Sequence, residues 1–298
     1  MTTGVHTPVL LEEVMDYLAV AREGIYVDCT LGLAGHALQI VKRNPKAFLI
    51  GFDIDKSSLL LAKKKLKPYA NRVELYHSDF RYLPDLNIDF SHIRGVLLDL
   101  GLSSFQLDSP QRGFSFNQEG PLDMRMDLRH KVTASKLINK YPEHKLAQLF
   151  LEYGEFRQAK KLAKEIVRQR KIKKIETTTE LRRLVEKICP SRPQKGKIHP
   201  AAKVFQALRI EVNHELKGLD NFLIKIINKL PPSARLVAIS FHSLEDRIIK
   251  HTLAELASGV NTQPLLKILT KKPVVPTTEE ISLNFRARSA KLRAAERI

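Results

Sequence analysis

Residues 24–37 read Gly-Ile-Tyr-Val-Asp-Cys-Thr-Leu-Gly-Leu-Ala-Gly-His-Ala. The apolar run 25–29 is typical of a buried strand, residues 30–32 of a turn, and Gly35 of the start of a helix. Because glycine has no Cβ, such a turn lets the backbone approach a ligand and point free N–H groups at it. The G-x-x-G spacing is neither a P-loop nor a complete G-x-G-x-x-G fingerprint. The stretch therefore predicts a ligand-binding strand–turn–helix without naming the ligand.

Further short apolar runs follow the same pattern, alternating with segments of helical periodicity. The strands are predicted at 25–29, 47–52, 72–77, 94–98 and 235–241, and the first helices at 7–20, 35–43 and 57–66. Strands that alternate with helices build βαβ units with right-handed crossovers. We therefore expect an α/β fold with a mostly parallel, Rossmann-like sheet.

The stretch between the fourth and fifth predicted strands, roughly 101–233, is too long for one crossover. It contains helical patterns of its own, among them a helix predicted to run from a Thr179 cap to Ile188. We predict a discontinuous sheet domain of residues 1–106 and 203–298. Residues 107–202 are predicted to form an inserted all-α domain that recognises RNA or another substrate.

The chain has 298 residues and a net charge of +18, which favours a polyanionic partner, nucleic acid before a membrane surface. Cys29 and Cys189 form no metal-ligand pair and no disulfide framework, so a reducing compartment is expected. No signal peptide or apolar stretch long enough to span a membrane is recognisable. These features predict a cytoplasmic protein, and they leave its oligomeric state open.

Polar residues follow the predicted strands at the edge where open α/β sheets bind ligands. They are Asp53, Asp79-Phe80, Asp99 and His242-Ser243. A carboxylate such as Asp53 can take both ribose hydroxyls, and an aromatic ring such as Phe80 can flank an adenine. The pattern predicts a nucleoside-type cofactor. An NAD-dependent dehydrogenase is one alternative, but the incomplete pyrophosphate fingerprint favours S-adenosylmethionine (SAM), which carries no phosphate.

Other chemistries find little support. No G-x-S-x-G elbow accompanies Ser103-Ser104, which argues against a hydrolase, and no spacing predicts a metal site. Residues 157–187 hold 12 Lys/Arg against 4 Asp/Glu, a surplus of 8. This density favours contact with nucleic-acid phosphates over a merely solvated helix face. The cations concerned are Lys160, Lys161, Lys164, Arg168, Arg170, Lys171, Lys173 and Lys174, extended by Arg192, Lys195, Lys197, Arg286, Arg288, Lys291, Arg293 and Arg297.

Long motifs are spread along the whole chain. They are His6-x-Pro8-Val9-Leu10-Leu11, Asp28-x-Thr30-x-Gly32-x-x-Gly35-His36, Asp99-Leu100-Gly101-x-Ser103-Ser104-x-Gln106-Leu107-Asp108, Arg112-Gly113-Phe114-Ser115-Phe116, Gly120-Pro121-Leu122-Asp123-Met124-Arg125-Met126-Asp127, Ser240-Phe241-His242-Ser243-Leu244-Glu245-Asp246-Arg247 and Arg286-Ala287-Arg288-Ser289. Together these motifs resemble one known family, the bacterial 16S rRNA (cytosine-N4-)methyltransferases of the RsmH (MraW) type.

The resemblance implies a class I SAM-dependent methyltransferase fold with a helical insertion. It also implies an enzyme that methylates N4 of a cytidine in the decoding region (P site) of 16S rRNA in the small ribosomal subunit. The implied cofactor contacts are Ala34, Gly35, His36, Asp53, Phe80, Asp99 and Gln106, and Asp99 is also our candidate catalytic acceptor.

Two residues depart from the family pattern as we expect it, Ala34 in place of a glycine and Phe105 in place of a proline. Ala34 would therefore contact the cofactor through its backbone. Phe114, Phe116 or His242 could hold the flipped-out target base. Two alternatives stay open: a non-catalytic RNA-binding ribosome-assembly factor of the same fold, and a DNA cytosine-N4 methyltransferase, which the absent Pro-Pro-aromatic loop disfavours.

Overall fold

A computed structural model describes residues 8–190, 199–259 and 263–298, so His6, Arg192, Lys195 and Lys197 lie outside the described residues. Seven strands form one sheet in the order β3-β2-β1-β4-β5-β7-β6, in which β1 to β5 are parallel, β7 is antiparallel to β5, and β6 is antiparallel to β7. The predicted α/β class with a mostly parallel sheet is confirmed. The strands are β1 Gly24–Asp28, β2 Ala47–Asp53, β3 Val73–His77, β4 Ile93–Leu100, β5 Arg235–Ser240, β6 Leu266–Ile268 and β7 Lys291–Arg297.

The helices connect and cover these strands. They are α1 Leu11–Leu18, α2 Gly35–Arg43, α3 Lys56–Leu66, α4 Ser104–Asp108, α5 Ala134–Lys140, α6 Glu143–Glu152, α7 Ala159–Arg170, α8 Thr178–Ile188, α9 Pro200–Asn213, α10 Leu219–Lys229, α11 Ser243–Ser258 and α12 Thr278–Leu283. Among the described residues, none of these helices combines the length and the apolar character needed to cross a bilayer.

The chain divides into two compact units, Met1–Gly101 with Lys217–Ile298, and Leu102–Leu216. In the first unit, alternate residues of each central strand point to opposite faces of the sheet. Tyr26 of β1 packs with α1, α2 and α3, whereas the next residue, Val27, packs with α10 and α11. Burial on both faces explains why these strands are continuous apolar runs in the sequence.

The second unit is helical, as expected for the insertion, but its limits differ from the predicted residues 107–202. Helix α9 was assigned to the sheet domain on sequence grounds. In the structure, Val204, Phe205 and Leu208 of α9 are buried in one core with residues of α5, α6, α7 and α8. The apolar face of α9 therefore belongs to the helical unit, and the chain returns to the sheet unit at Lys217.

The basic C-terminal tail was predicted to extend the RNA-binding surface, and this was wrong for most of its cations. The tail forms β7, which pairs antiparallel with β5. Arg293 is buried there, with its Nε 2.6 Å from Asp246 Oδ1, and Lys291 Nζ lies 3.2 Å from Asp246 Oδ2. Arg297 donates to the Leu265 carbonyl. These cations stabilise the sheet edge, and only Arg286 and Arg288 remain on an exposed segment.

The predicted cap of α8 is shifted by two residues. Thr177, and not Thr179, caps this helix, in a capping box with Glu180. α11 is capped by His242, whose ring accepts the backbone N–H of Glu245. Both caps satisfy N–H groups that the first helical turn leaves free.

Candidate active site

Residues 29–34, between β1 and α2, form a turn that we call the glycine turn. Asp53 at the end of β2 holds this turn in place. Gly32 adopts a left-handed conformation, φ 52°, and its N–H donates to Asp53 Oδ2 at 2.8 Å. Asp53 Oδ1 accepts the N–H of Asp55 at 2.7 Å. These bonds fix the carboxylate at the carboxyl edge of the sheet and leave further lone pairs on both oxygens. Burial raises the pKa of Asp53 to about 7, against the lowering effect of these backbone donors.

Ala34 and Gly35 form the start of α2. Ala34 is buried with φ 55°, a conformation that glycine adopts at less cost, which accounts for the glycine expected at this position. No side chain caps α2 among the described residues, so its first amides can serve an anionic group. At Gly35, a Cβ would lie 2.6 Å from Pro8 Cγ. The missing side chain of Gly35 therefore makes room for Pro8.

Gly35→Ala is expected to lower the free energy of unfolding by about 1–3 kcal/mol, because the new methyl group overlaps the rigid ring of Pro8. Urea unfolding of the ligand-free protein measures this. Ala34→Gly is the matched control. Relief of the left-handed strain offsets the backbone entropy of glycine, so its stability should stay within about 1 kcal/mol of the parent. Equal stability of Gly35→Ala and the parent would contradict the packing role.

Asp99 lies at the end of β4, beside the turn. Its backbone N–H donates to Thr30 Oγ1 at 2.6 Å, which ties β4 to the residue after β1. Its Oδ1 is buried and makes no hydrogen bond with any described residue. Burial, with a further contribution from the charge of Glu245, raises the pKa of Asp99 to about 7. A buried acceptor without a donor is costly, so this oxygen is suited to a ligand's N–H or O–H group.

His36 is buried in the first turn of α2 and contacts Asp99. Its Nε2 lies 2.9 Å from the Val9 carbonyl and therefore carries the proton, while Nδ1 lies 3.6 Å from Asp99 Oδ2. Burial lowers the pKa of His36, which favours the neutral ring. The unprotonated Nδ1 then faces the carboxyl group of Asp99. In the absence of a ligand that donates a hydrogen bond, this arrangement favours the protonated form of Asp99. His36 thus orients Asp99 and links it to the Pro8–Leu10 segment.

Asp28, at the end of β1, was quoted in a motif but missed as a site residue. It is buried, and its Oδ1 accepts the N–H of Thr30 at 3.1 Å. Burial raises the pKa of Asp28 to about 7, and the charges of Asp99 and Asp53 act in the same direction. The rule that selected Asp53 and Asp99, a carboxylate ending a parallel strand, would also have found Asp28.

The side chains of Phe80 and Gln106 make packing and capping contacts within the protein. The ring of Phe80 is buried and packs edge-on against Phe222, with ring centroids 4.8 Å apart. Gln106 lies in the helical unit, where its side chain accepts the N–H of Ser103 in a capping box. The structure therefore brings Ala34, Gly35, His36, Asp53 and Asp99 together, and it places Phe80 and Gln106 in other contacts. The cofactor contacts of all seven residues stay predictions.

The residues suggested to hold a target base also have structural roles. Phe114 is buried in the core of the helical unit, and Phe116 stacks on His199 with ring centroids 5.2 Å apart. His242 caps α11, and its Nε2 lies 3.1 Å from Glu245 Oε1 without the geometry of a hydrogen bond. Packing explains all three positions.

The residues of this edge fit SAM better than a dinucleotide. Asp28, Asp53 and Asp99 are close enough for their charges to interact, and burial disfavours their ionised forms. A cationic ligand with ribose hydroxyls relieves this repulsion and supplies donors, whereas a pyrophosphate adds negative charge. Asp53 would take the hydroxyls, and the free amides of α2 the carboxylate of the amino-acid group. This electrostatic pattern favours SAM over the dinucleotide of a dehydrogenase.

Comparison with known proteins also supports SAM as the ligand. The model of the MraW methylase family matches residues 3–298. The chain belongs to this family. It is 47% identical to the "Ribosomal RNA small subunit methyltransferase H" of Caldicellulosiruptor saccharolyticus, over 98% of this chain and 99% of that protein. The protein of the same name from Carboxydothermus hydrogenoformans is 43% identical over 98% of both chains.

Family membership confirms two predictions: the chain is a SAM-dependent methyltransferase, and SAM is its cofactor. The crystal structure of a putative rRNA-methylase from Clostridium thermocellum resembles the chain with a TM-score of 0.47 at 12% identity, over 99% of this chain and 100% of that one.

Proposed function

We propose that this methyltransferase acts in the cytoplasm on the small ribosomal subunit, where it methylates N4 of a cytidine in the decoding region (P site) of 16S rRNA. The names of its relatives support ribosomal RNA of the small subunit as the substrate class. Asp99 Oδ1, a buried acceptor without a donor, is the observation that carries the proposal, because it can accept a hydrogen bond from the N4 amine.

Asp99 has the chemistry that this reaction requires. The lone pair of cytosine N4 is delocalised into the ring, so the amine is a poor nucleophile. An acceptor at Asp99 Oδ1 would hold one N4–H, favour a pyramidal nitrogen and receive the proton that leaves when the new N–C bond forms. Positioned proton acceptors of this kind contribute about 10²–10⁴-fold to a rate. Thr30 holds the backbone of Asp99, and His36 Nδ1 faces its carboxyl group.

Asp53, Asp28 and the amides at the start of α2 would hold the cofactor. When bound, SAM supplies an electrophilic methyl group on a sulfonium centre. The carboxylates of the buried Asp28 and the partly buried Asp53 favour a cation at this edge of the sheet and disfavour the phosphates of other nucleotides.

We further propose that the helical unit grips RNA phosphates through one face of α7. Ala159, Leu162 and Ile166 form the buried face of this helix, and Lys160, Lys161 and Lys164 are exposed on the other side. These lysines take part in no ion pair among the described residues. Three other predicted contacts have partners instead: Arg168 pairs with Glu165, Lys173 pairs with Glu180, and Arg170 donates to the carbonyls of Ile138 and Tyr141.

Changing Lys160, Lys161 and Lys164 together to glutamine is expected to weaken RNA binding and to reduce its salt dependence. Each lost phosphate contact lowers the slope of log K against log salt by about 0.7–0.9. Affinities for small-subunit rRNA at several salt concentrations measure the slope. The matched control replaces three exposed lysines of α3 and the turn after it with glutamine and so removes the same amount of charge. These residues are Lys63, Lys64 and Lys67. Equal effects of both triple variants would contradict a specific role for α7.

The proposed reaction is tested by mass spectrometry of 16S rRNA from small subunits incubated with SAM, with and without the enzyme. We expect N4-methylcytidine at one decoding-region position only when the enzyme is present. Methylation of another base or another cytosine atom would contradict the proposal.

A further inference from the structure

Residues 275–291 form a loop whose two ends are joined, and we call it the rim loop. Val274 and Leu292 exchange both backbone hydrogen bonds, Val274 N to Leu292 O at 2.9 Å and Leu292 N to Val274 O at 2.8 Å. Between them lie α12 and a short 3-10 helix, Phe285–Ser289. The closed base and the helical turns make this segment a defined platform.

The inner side of the rim loop is anchored to the segment that orients the active site. Glu280 Oε1 accepts the N–H of Leu10 at 2.7 Å, and the preceding residue, Val9, accepts the hydrogen bond of His36. Ala287 and Ala290 of the loop are buried in the same core as Val9 and Leu10. The rim loop is thus held against the residues that position His36 and Asp99.

The loop lies on the ligand-binding side of the sheet. β7 starts at Lys291, which pairs with Ser240, the last residue of β5. Because β5 is parallel to β1 and β4, the residues just before Lys291 lie beyond the carboxyl edge that carries Asp28, Asp53 and Asp99.

The outer side of the rim loop presents an aromatic ring to solvent. Phe285 is 67% exposed, and it is the one exposed residue among the thirteen phenylalanines, all of which are described. The guanidinium carbon of Arg288 lies 4.6 Å from the centre of its ring. Leu283, two residues earlier, is 84% exposed. Neither Phe285 nor Leu283 contributes to the buried core, so their exposure needs another explanation.

We propose that Phe285, with Arg288 stacked on it, is a platform for an unpaired base of the RNA substrate, at the rim of the active site. A base has a flat π-face that stacks on an aromatic ring, and a guanidinium stacked beside it adds a positive charge for the neighbouring phosphate. Arg286 and Arg288 are exposed beside the ring, whereas Glu280 of the rim loop is bonded to Leu10, so the face that carries Phe285 favours a polyanionic partner.

The platform also agrees with what the reaction demands. A target cytidine must leave its base stack to reach Asp99, and its neighbour in the strand then loses a stacking partner. An exposed aromatic ring near the site can replace that partner. The inference rests on the proposed function for its choice of RNA, but base stacking at Phe285 can be measured without methyl transfer.

The absence of tryptophan from the chain permits a direct test of stacking. Phe285→Trp introduces a single indole, which can be excited apart from the tyrosines. A short single-stranded RNA that contains the proposed target cytidine should quench its emission, because a stacked base quenches indole. Leu60→Trp, at an exposed residue of α3, is the matched control and should show little change on the same RNA. Equal quenching in both variants, or none at Phe285→Trp while the RNA still binds, would overturn the proposal.

Kinetics with purified small subunits provides the second test. Phe285→Ala should raise the KM for the subunit by about 5- to 150-fold, the range that loss of one base–aromatic stack gives. The kcat and the Kd for SAM should not change, and Phe285→Tyr should restore the KM. An unchanged KM in Phe285→Ala would overturn the proposal.

The two tests together separate the possible failures. If wild-type enzyme transfers no methyl group but RNA quenches Phe285→Trp, the proposed function fails and the platform stands. If Phe285→Ala impairs reaction with subunits but binds the bare RNA as wild type does, the rim loop contacts a ribosomal protein, and the base platform is overturned.

Discussion

Asp99→Asn is expected to lower kcat for methyl transfer by about 10²–10⁴-fold, the loss typical of removing a positioned proton acceptor. Asparagine keeps the shape of the side chain, and the backbone bond of residue 99 to Thr30 is unaffected. What disappears is an oxygen that can both hold the N4–H and accept its proton. Single-turnover incorporation of labelled methyl groups into small subunits measures the effect.

The pH dependence of the same reaction gives an independent check. Burial raises the pKa of Asp99 to about 7, so below this pH the free enzyme holds the carboxyl in its protonated form, which cannot accept a proton. In the wild type, kcat/KM should therefore rise with pH up to about 7 and then level off. The residual activity of Asp99→Asn should not show this rise. Asp85→Asn, at an exposed carboxylate, is the control. Normal turnover by Asp99→Asn would end the catalytic assignment.

Asp53→Ala is expected to weaken SAM binding by about 10- to 150-fold, because a hydrogen bond to a charged group contributes about 1.5–3 kcal/mol. The change removes the acceptor proposed for the ribose hydroxyls. It also releases the N–H groups of Gly32 and Asp55, which Asp53 holds at 2.8 and 2.7 Å. Calorimetric titration of the ligand-free protein with SAM measures the Kd.

Two comparisons make this result specific. Asp85→Ala, which removes an exposed carboxylate from the same unit, should bind SAM as wild type does. Because burial raises the pKa of Asp53 to about 7, wild-type affinity for the cationic cofactor should increase as pH rises through this value. An unchanged Kd in Asp53→Ala would remove Asp53 from the cofactor site.

The parallel part of the fold could be predicted because its signals are local. β1, β2, β4 and β5 are mainly apolar runs with a polar residue at or beside the carboxyl end, and α2 begins at Gly35 as its sequence indicates. The antiparallel edge could not be predicted in this way. β6 has three residues, and the burial of Arg293 in β7 depends on Asp246, which lies 47 residues away in the chain. A charged residue whose partner is so distant looks like a surface residue in the sequence.

The candidate site was predicted in its outline, and the roles within it needed coordinates. The sequence pointed to Asp53 and Asp99 by their places at strand ends. It could not show that Gly35 accommodates Pro8, that the ring of Phe80 packs on Phe222, or that Asp28 shares the same buried edge. Tertiary packing decides such questions, and local pattern does not record it.

The central claim is that carboxylates at adjoining strand ends surround the cofactor. A crystal structure of the protein crystallised with SAM tests this claim most directly. We predict density for SAM at the carboxyl edge of the sheet, with the ribose hydroxyls within hydrogen-bonding distance of Asp53 and the cofactor beside Asp99. Density remote from Asp53 and the glycine turn, or none at saturating SAM, would contradict the account.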